Sequence, residues 1–101
     1  MTSRSLPEAQ WDIIEESECY DNVRAGLGDD FVAETREAIS RAVARPRLYA
    51  QVDPPVRARE VRQTLVRRFP FKVIYEVTAT EVIIVAVTHV RRRDRRWRRR
   101  L

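Results

Sequence analysis

The stretch Phe69–Trp97, FPFKVIYEVTATEVIIVAVTHVRRRDRRW, decides the fold of this chain. Apolar side chains alternate with mostly polar ones over residues 71–78, which predicts a strand with one buried face. Residues 81–88 contain an apolar run that fills both faces, which predicts a central strand. That strand leads directly into His89 and a run of arginines. The chain therefore presents positive charge at the end of a buried strand.

The residues before this stretch predict helices and further strands. The predicted elements are an edge strand over 2–6, helices over 7–23 and 29–45, an irregular connector over 46–58 and a strand over 60–69. Gly26 and Gly28, the only glycines, mark the turn between the helices. Asp29 and Asp30 suit the N-terminus of the second helix, whose apolar residues follow helical spacing. The predicted fold class is α+β, with two antiparallel helices packed on a small antiparallel sheet of three to four strands.

Length and composition limit the kind of protein. A chain of 101 residues suits one domain, so we expect residues 1–101 to form a single domain with a basic tail from about residue 91. No apolar run reaches the roughly 20 residues of a membrane helix, and no apolar signal core is present, so we expect a cytoplasmic protein without membrane contact. With Cys19 and His89 as single representatives of their types, no disulfide, metal site or cofactor is expected.

The charge is distributed unevenly along the chain. Residues 1–50 carry 6 Arg against 10 Asp and Glu, whereas residues 51–101 carry 14 Arg and Lys against 5 acidic residues. The resulting field attracts an anionic ligand to the second half. The tail 91–101 has 8 Arg and one Asp, and we expect self-repulsion to keep part of it loose unless an acidic partner binds.

Five motifs occur along the chain in a fixed order. They are the pair Cys19 and Tyr20, AGLGDDF at 25–31, Pro46-x-x-Tyr49, VRRFPFKVIYEV at 66–77 and VIIVAVTHVRRRDRRW at 82–97. In this order and spacing the chain resembles the RelE/ParE superfamily of bacterial toxins over almost its whole length. The resemblance implies two helices packed on an antiparallel sheet, and the toxin half of a type II toxin-antitoxin pair. Such toxins are also known as plasmid stabilisation proteins.

The resemblance implies a cognate antitoxin as partner, bound in a hetero-oligomer, and leaves the mode of action open. RelE-like members cut messenger RNA in the ribosomal A site, whereas ParE-like members poison DNA gyrase without being nucleases. We favour ribosome-dependent messenger RNA cleavage, which would make the chain an endoribonuclease that arrests growth. Gyrase inhibition is the alternative, and an inactive binding module that co-represses its own operon with the antitoxin is the third interpretation.

For RNA cleavage the resemblance places the catalytic residues at Lys72, His89 and Arg92. Lys72 stands where RelE-like toxins commonly carry an arginine, and His89 stands at a strand end where relatives have a histidine or a small residue. Cleavage by the 2′-hydroxyl needs a base, an acid and fixed positive charge beside the crowded phosphorane, and these side chains could supply all three. The predicted substrate-binding residues are Arg68, Arg91, Arg93 and Trp97.

These residues also have structural interpretations. Lys72 can be a solvated strand residue, and His89 can satisfy a backbone group at the strand end. Trp97, which replaces the usual tyrosine of the family, can stack on a nucleobase or anchor the tail on the core. Arg67 and Arg68 are adjacent on a predicted strand and should point to opposite faces, so only one of them can line a site.

Overall fold

The computed structural model describes residues 1–101 and combines three helices with four strands. In chain order the elements are β1 (Thr2–Ser5), α1 (Pro7–Val23), α2 (Leu27–Ala44), β2 (Glu60–Leu65), β3 (Phe71–Val77), β4 (Glu81–His89) and α3 (Arg95–Arg98). The two long helices α1 and α2 pack on one face of the sheet, so the predicted α+β fold class is confirmed. None of the helices combines the length and the apolarity that a membrane span requires.

The sheet has the strand order β1-β4-β3-β2. The strands β2, β3 and β4 form an antiparallel meander, as expected, but β1 pairs with β4 in parallel. Both helices and two strands separate β1 from β4 along the chain, so no tight turn forces these two strands to run in opposite directions. The strand β4 lies in the centre and is covered on both faces, which explains its continuous apolar run.

The α1–α2 turn depends on two glycines with different roles. Gly26 has φ +89°, a left-handed conformation that glycine adopts without strain. At Gly28 a Cβ atom would collide with the backbone oxygen of Ser17, so the missing side chain lets the helices approach closely. The Gly28 N–H also donates to Asp21 Oδ1 at 2.8 Å. Because of this turn, α2 begins at Leu27, two residues earlier than predicted.

The face of the sheet that contacts α1 and α2, which we call the helix face, carries the larger core. Its centre is an aromatic group in which Tyr20 and Phe31 contact Phe69 and Phe71, with ring centroids 4.9 to 6.1 Å apart. Such tilted and edge-on aromatic pairs add to the burial of apolar area. The apolar residues of α1 are only partly buried, since Trp11 remains 61% exposed.

The strand β2 is shorter than predicted and ends at Leu65 rather than Phe69. Val66 closes a turn by donating its N–H to the carbonyl oxygen of Phe71 at 2.8 Å, and Arg68 has φ +70°. Arg67 and Arg68 therefore lie in a tight turn and not on a strand. The expectation that they point to opposite faces of a strand was wrong, because the left-handed residue at 68 ends the extended conformation.

The opposite face of the sheet, which we call the tail face, is covered by the connector and the C-terminal tail. Its core consists of six buried residues, Val52, Val61, Ile74, Val85, Ala86 and Trp97. The connector reaches this face by pairing with the edge of β2, since the Val52 N–H donates to the carbonyl oxygen of Val61 at 3.0 Å. The tail forms the short helix α3, and acidic side chains of the same chain pair with three of its arginines.

Candidate functional site

An open groove of about 640 Å³ lies at the end of the sheet where β2 turns into β3. Its wall includes the cations Arg41, Arg67 and Lys72, together with the ring of Tyr49. Lys72 Nζ lies 3.2 Å from Asp94 Oδ1, and only 13% of the lysine side chain is exposed. Lys72 is therefore held in place by an ion pair at the groove wall, rather than freely solvated.

The backbone of Tyr49 is fixed by a small ionic network at the edge of β2. Arg62 Nη1 donates to the Tyr49 carbonyl oxygen at 2.6 Å, and Glu60 accepts hydrogen bonds from Arg62 and Arg47. The hydrogen bond from Arg62, supported by Arg47, lowers the pKa of the Glu60 carboxyl below its usual value. The groove is thus built on a connector that is tied to the sheet.

His89 lies on the other side of the sheet from Lys72. It pairs with Phe71 across the β3–β4 ladder, and the two rings meet edge to face at 5.3 Å on the helix face. Its Nδ1 accepts the Arg91 N–H at 3.0 Å, which leaves Nε2 to carry the proton of the neutral ring. Lys72 instead pairs with Thr88, one residue earlier, on the tail face.

A β-bulge in β4 accounts for this separation. The register between β3 and β4 shifts at Ile74 and Tyr75, so that Val85 is an extra residue. Both Val85 and Ala86 point to the tail face as a result. With an unbroken ladder, His89 would share a face with Lys72, but one added residue turns every later side chain over. The structure therefore does not bring these two predicted catalytic residues together.

The C-terminal tail is held by a clasp between Asp12 of α1 and Arg100. The carboxylate of Asp12 accepts two hydrogen bonds from the Arg100 guanidinium, at 2.7 and 3.0 Å, and a third from the Val87 N–H at 3.0 Å. Arg100 Nη1 also donates to the Val85 carbonyl oxygen at 3.0 Å. These hydrogen bonds with Asp12 raise the pKa of the Arg100 guanidinium above its usual value.

The Asp12–Arg100 clasp occupies the place of a missing strand. The strand β1 pairs with β4 only from Glu81 to Ile84, so the outer edge of β4 beyond Ile84 has no strand beside it. Unpaired backbone groups on a sheet edge need other partners. The clasp supplies an acceptor for Val87 and a donor for Val85, and it fixes the end of the tail beside α1.

The likeness of this chain to known proteins lies in its fold. No family model and no curated protein matches the chain. Among solved structures, a chain of the chromosomal ParDE TA system from P. aeruginosa is similar with a TM-score of 0.64 and 15% sequence identity, over 88% of this chain and 95% of that chain. The two chains share one fold, which we call the ParDE-type fold after the name of that system. The resemblance to the RelE/ParE superfamily is thus supported at the level of the fold.

Trp97 is part of the core of this ParDE-type fold. Its side chain is 1% exposed and packs in the tail-face core, while the Arg98 guanidinium lies 4.6 Å from the ring centroid. A buried ring cannot stack on a nucleobase, so Trp97 acts here as the hydrophobic anchor of the tail. Its Nε1 has no hydrogen-bond partner within the protein.

The eight arginines of the tail divide into two groups. Arg92, Arg98 and Arg100 pair with Glu16, Asp94 and Asp12, respectively. The others, which we call the free arginines, have side chains that make neither an ion pair nor a hydrogen bond, and all are exposed. The free arginines are Arg91, Arg93, Arg95, Arg96 and Arg99. Of the predicted site residues, Arg92 thus lies against α1, whereas Arg91 and Arg93 face solvent.

Sequence reasoning missed several residues that shape these sites. Arg41 looked like an ordinary helix-surface residue, yet it lines the groove and donates to the Leu65 carbonyl oxygen at 3.1 Å. Tyr49 stood in the Pro-x-x-Tyr motif, which was a usable signal. Asp94, the single acid among eight arginines, was a second signal for a local ion pair. No sequence pattern pointed to Asp12, because its partner is 88 residues away along the chain.

Proposed function

We propose that this chain is the toxin of a type II toxin-antitoxin pair and that it acts by inhibiting DNA gyrase. The observation that carries the proposal is the ParDE-type fold, which extends over 88% of the chain. The five motifs along the sequence support the same family independently of the fold. A cognate antitoxin is the partner that this proposal requires.

The placement of the predicted catalytic residues favours gyrase inhibition over RNA cleavage. General acid–base catalysis needs both groups within hydrogen-bond reach of one reacting centre. Lys72 and His89 lie on opposite faces of the sheet, and the Lys72 ammonium is paired with Asp94. Inhibition of gyrase needs a binding surface and no such constellation. The positions of Lys72 and His89 therefore argue against the RNA cleavage mechanism that the sequence favoured.

Ribosome-dependent messenger RNA cleavage remains the second candidate, and the groove is the observation that favours it. Lys72, Arg41 and Arg67 surround a space of about 640 Å³, and three cations suit a phosphate backbone. The ring of Tyr49 lines the same space and is of the type that stacks on single-stranded bases. In this candidate Lys72 stabilises the phosphorane, and His89 has no direct part.

Induced expression of the chain alone in a bacterium tests the proposal. We expect growth arrest, which coexpression of the neighbouring gene product should relieve. Normal growth with abundant soluble protein would contradict the toxin proposal in every form.

The two mechanisms are separated by two measurements on the arrested cells. We expect trapped gyrase–DNA complexes together with intact messenger RNA. New transcript ends inside coding sequences, without trapped complexes, would instead support the RNA cleavage candidate. In that case Lys72→Ala should abolish cleavage, while Arg36→Ala on the exposed surface of α2 is the matched control that should retain it.

A further inference from the structure

The free arginines have no counter-charge within the chain. Arg91, Arg93, Arg95, Arg96 and Arg99 lie within nine consecutive residues, and no acidic side chain pairs with any of them. Asp94, the only acidic residue of the tail, is already paired with Lys72 and Arg98. Five exposed arginines at this density repel one another unless an external anion is present.

The free arginines stand on a fixed base. Trp97 anchors the middle of the tail in the tail-face core, and Arg100 holds its end on Asp12. Arg98 Nη2 adds a hydrogen bond of 2.7 Å to the Pro54 carbonyl oxygen of the connector. The paired arginines therefore keep the free arginines in place, which lowers the entropy that a ligand must remove on binding.

The positive surface continues beyond the tail to the turn between β2 and β3. The Val90 N–H donates to the Pro70 carbonyl oxygen at 3.0 Å, and this bond sets the start of the tail beside that turn. Arg67 and Arg68 are exposed in the turn, and Arg68 has only a distant ion pair of 3.5 Å with Asp30. An extended anion can thus contact the turn and the tail together.

The free arginines have no exposed aromatic ring among them. Trp97 is the only aromatic residue of the tail 91–101, and its side chain is 1% exposed. Proteins that bind single strands combine positive charge with rings on which bases stack. A duplex, in contrast, presents its phosphates outward at high charge density and can be bound by arginines alone.

We propose that the free arginines bind the phosphodiester backbone of a nucleic-acid duplex, without reading its base sequence. None of the free arginines lines the groove at Lys72, although the positive surface adjoins that groove through Arg67, and binding by the free arginines does not depend on the proposed toxin function. Arginine suits this role because its guanidinium donates two parallel hydrogen bonds to a phosphate.

Fluorescence anisotropy with the purified full chain and a labelled DNA duplex of about 20 base pairs tests the proposal. The affinity should fall steeply from about 50 to about 300 mM salt. In the triple variant Arg93→Ala, Arg95→Ala, Arg99→Ala the slope of log affinity against log salt should fall by about 2 to 3, with an affinity loss of about tenfold or more. The variant should fold, because these side chains contact no other polar group.

The matched control removes the same charge elsewhere. Arg24, Arg36 and Arg45 are exposed, unpaired and outside the tail, so their triple alanine variant has the same net charge. It should lose much less affinity than the tail variant. Equal losses would mean that net charge alone governs binding and would overturn the proposal. Replacement of Arg93, Arg95 and Arg99 by lysine keeps the positive charge and should keep most of the affinity. This result would show that a loss in the alanine variant comes from the missing charge and not from misfolding.

Binding of other probes tells a DNA duplex apart from an RNA duplex, a single strand and an acidic protein. An RNA duplex of the same sequence tells whether DNA or RNA is the source of the backbone, and tight binding of either duplex supports the proposal. Tighter binding of the single strands than of both duplexes would overturn it. Equal binding of polyglutamate at the same salt concentration would also overturn it, in favour of an acidic protein partner.

Discussion

The helix face and the tail face of the sheet are built in different ways. The core of the helix face has 13 buried residues from two long helices, the strands β3 and β4 and the turn before β3, and four aromatic rings meet at its centre. The core of the tail face has six, and its cover is a connector with little regular structure and a four-residue helix. The larger core is therefore held by many equivalent contacts, whereas the smaller one depends on Trp97 and the Asp12–Arg100 clasp.

This difference shows how the chain orders an arginine-rich segment. A segment with eight arginines cannot form a core of its own, because its charge opposes close packing. It is ordered here by one large aromatic residue and by carboxylates from α1 and from within the tail. We expect the tail face to open more easily than the helix face.

Truncation of Trp97 tests this expectation most strongly. Trp97→Ala should lower the free energy of unfolding by about 3 kcal/mol, at the lower end of the range for buried tryptophan. The loss in free energy of unfolding is limited, because the tail can detach from the tail-face core while the rest of the protein stays folded. Chemical denaturation gives the magnitude, and hydrogen exchange should show faster exchange in the tail and at the outer edge of β4, with α2 still protected.

Phe31→Ala on the helix face is the matching truncation. It should cost about 4 kcal/mol and raise exchange throughout the chain, because both helices and the sheet contact this ring. If both variants raised exchange everywhere, the two faces would form one cooperative unit.

Removal of the charge in the clasp should have the next largest effect. Asp12→Asn leaves the half-buried Arg100 without its charged partner, and we expect a loss of about 2 kcal/mol. Glu18→Gln on the exposed surface of α1 removes the same charge and should have little effect. Urea denaturation of both variants gives the comparison, and equal losses would show that the clasp contributes no more than a surface charge.

Tyr75, a residue of the helix-face core, should make the stability of the protein depend on pH. The Tyr75 hydroxyl donates to the Pro46 carbonyl oxygen at 2.7 Å, and burial raises its pKa from 10 to about 12. A raised pKa in the folded state means that this stability is present below pH 10 and is lost as the pH rises to about 12. The loss should be on the order of 1 kcal/mol. Tyr75→Phe should show a smaller loss over the same pH range in urea titrations.

In the turn between β2 and β3, the effect of a glycine substitution on stability should depend on the backbone conformation of the residue replaced. Arg68 has φ +70°, which is unfavourable for arginine and natural for glycine. Arg68→Gly should therefore raise the free energy of unfolding by about 0.5 kcal/mol, which a thermal melt would show as a slightly higher melting temperature. Its neighbour lacks a positive φ, so Arg67→Gly should lower stability by a similar amount. The opposite order would mean that the Arg68 side chain contributes more than its backbone costs.

The sequence predicted the elements of the helix face, because burial imposes a regular period on them. The apolar spacing of α2 and the alternation in β3 follow directly from which side chains touch the core. The end of β2 was predicted wrongly, since Arg68 adopts a left-handed conformation without the glycine or asparagine that usually marks it. The parallel pairing of β1 depends on a strand 79 positions away and leaves no local pattern.

The site was harder to predict than the fold. The positions of Lys72 and His89 near the ends of neighbouring strands suggested a shared site, and only the extra residue in β4 separates them. A bulge of one residue among six consecutive apolar residues cannot be seen in the sequence, because either face accepts an apolar side chain. The burial of Trp97 and the ion pairs of the tail arginines could not be predicted, because they depend on contacts with elements far away along the chain. The positive charge of the tail itself was visible from composition alone.

The Asp12–Arg100 clasp has a practical consequence for handling the protein. Any change that displaces the Arg100 guanidinium leaves the Val85 carbonyl oxygen without its donor and Asp12 without its ion pair, and so uncovers the outer edge of β4. An uncovered edge of an apolar central strand is a template for pairing with other chains. Variants that lose Arg100 should therefore aggregate more readily than the unchanged protein.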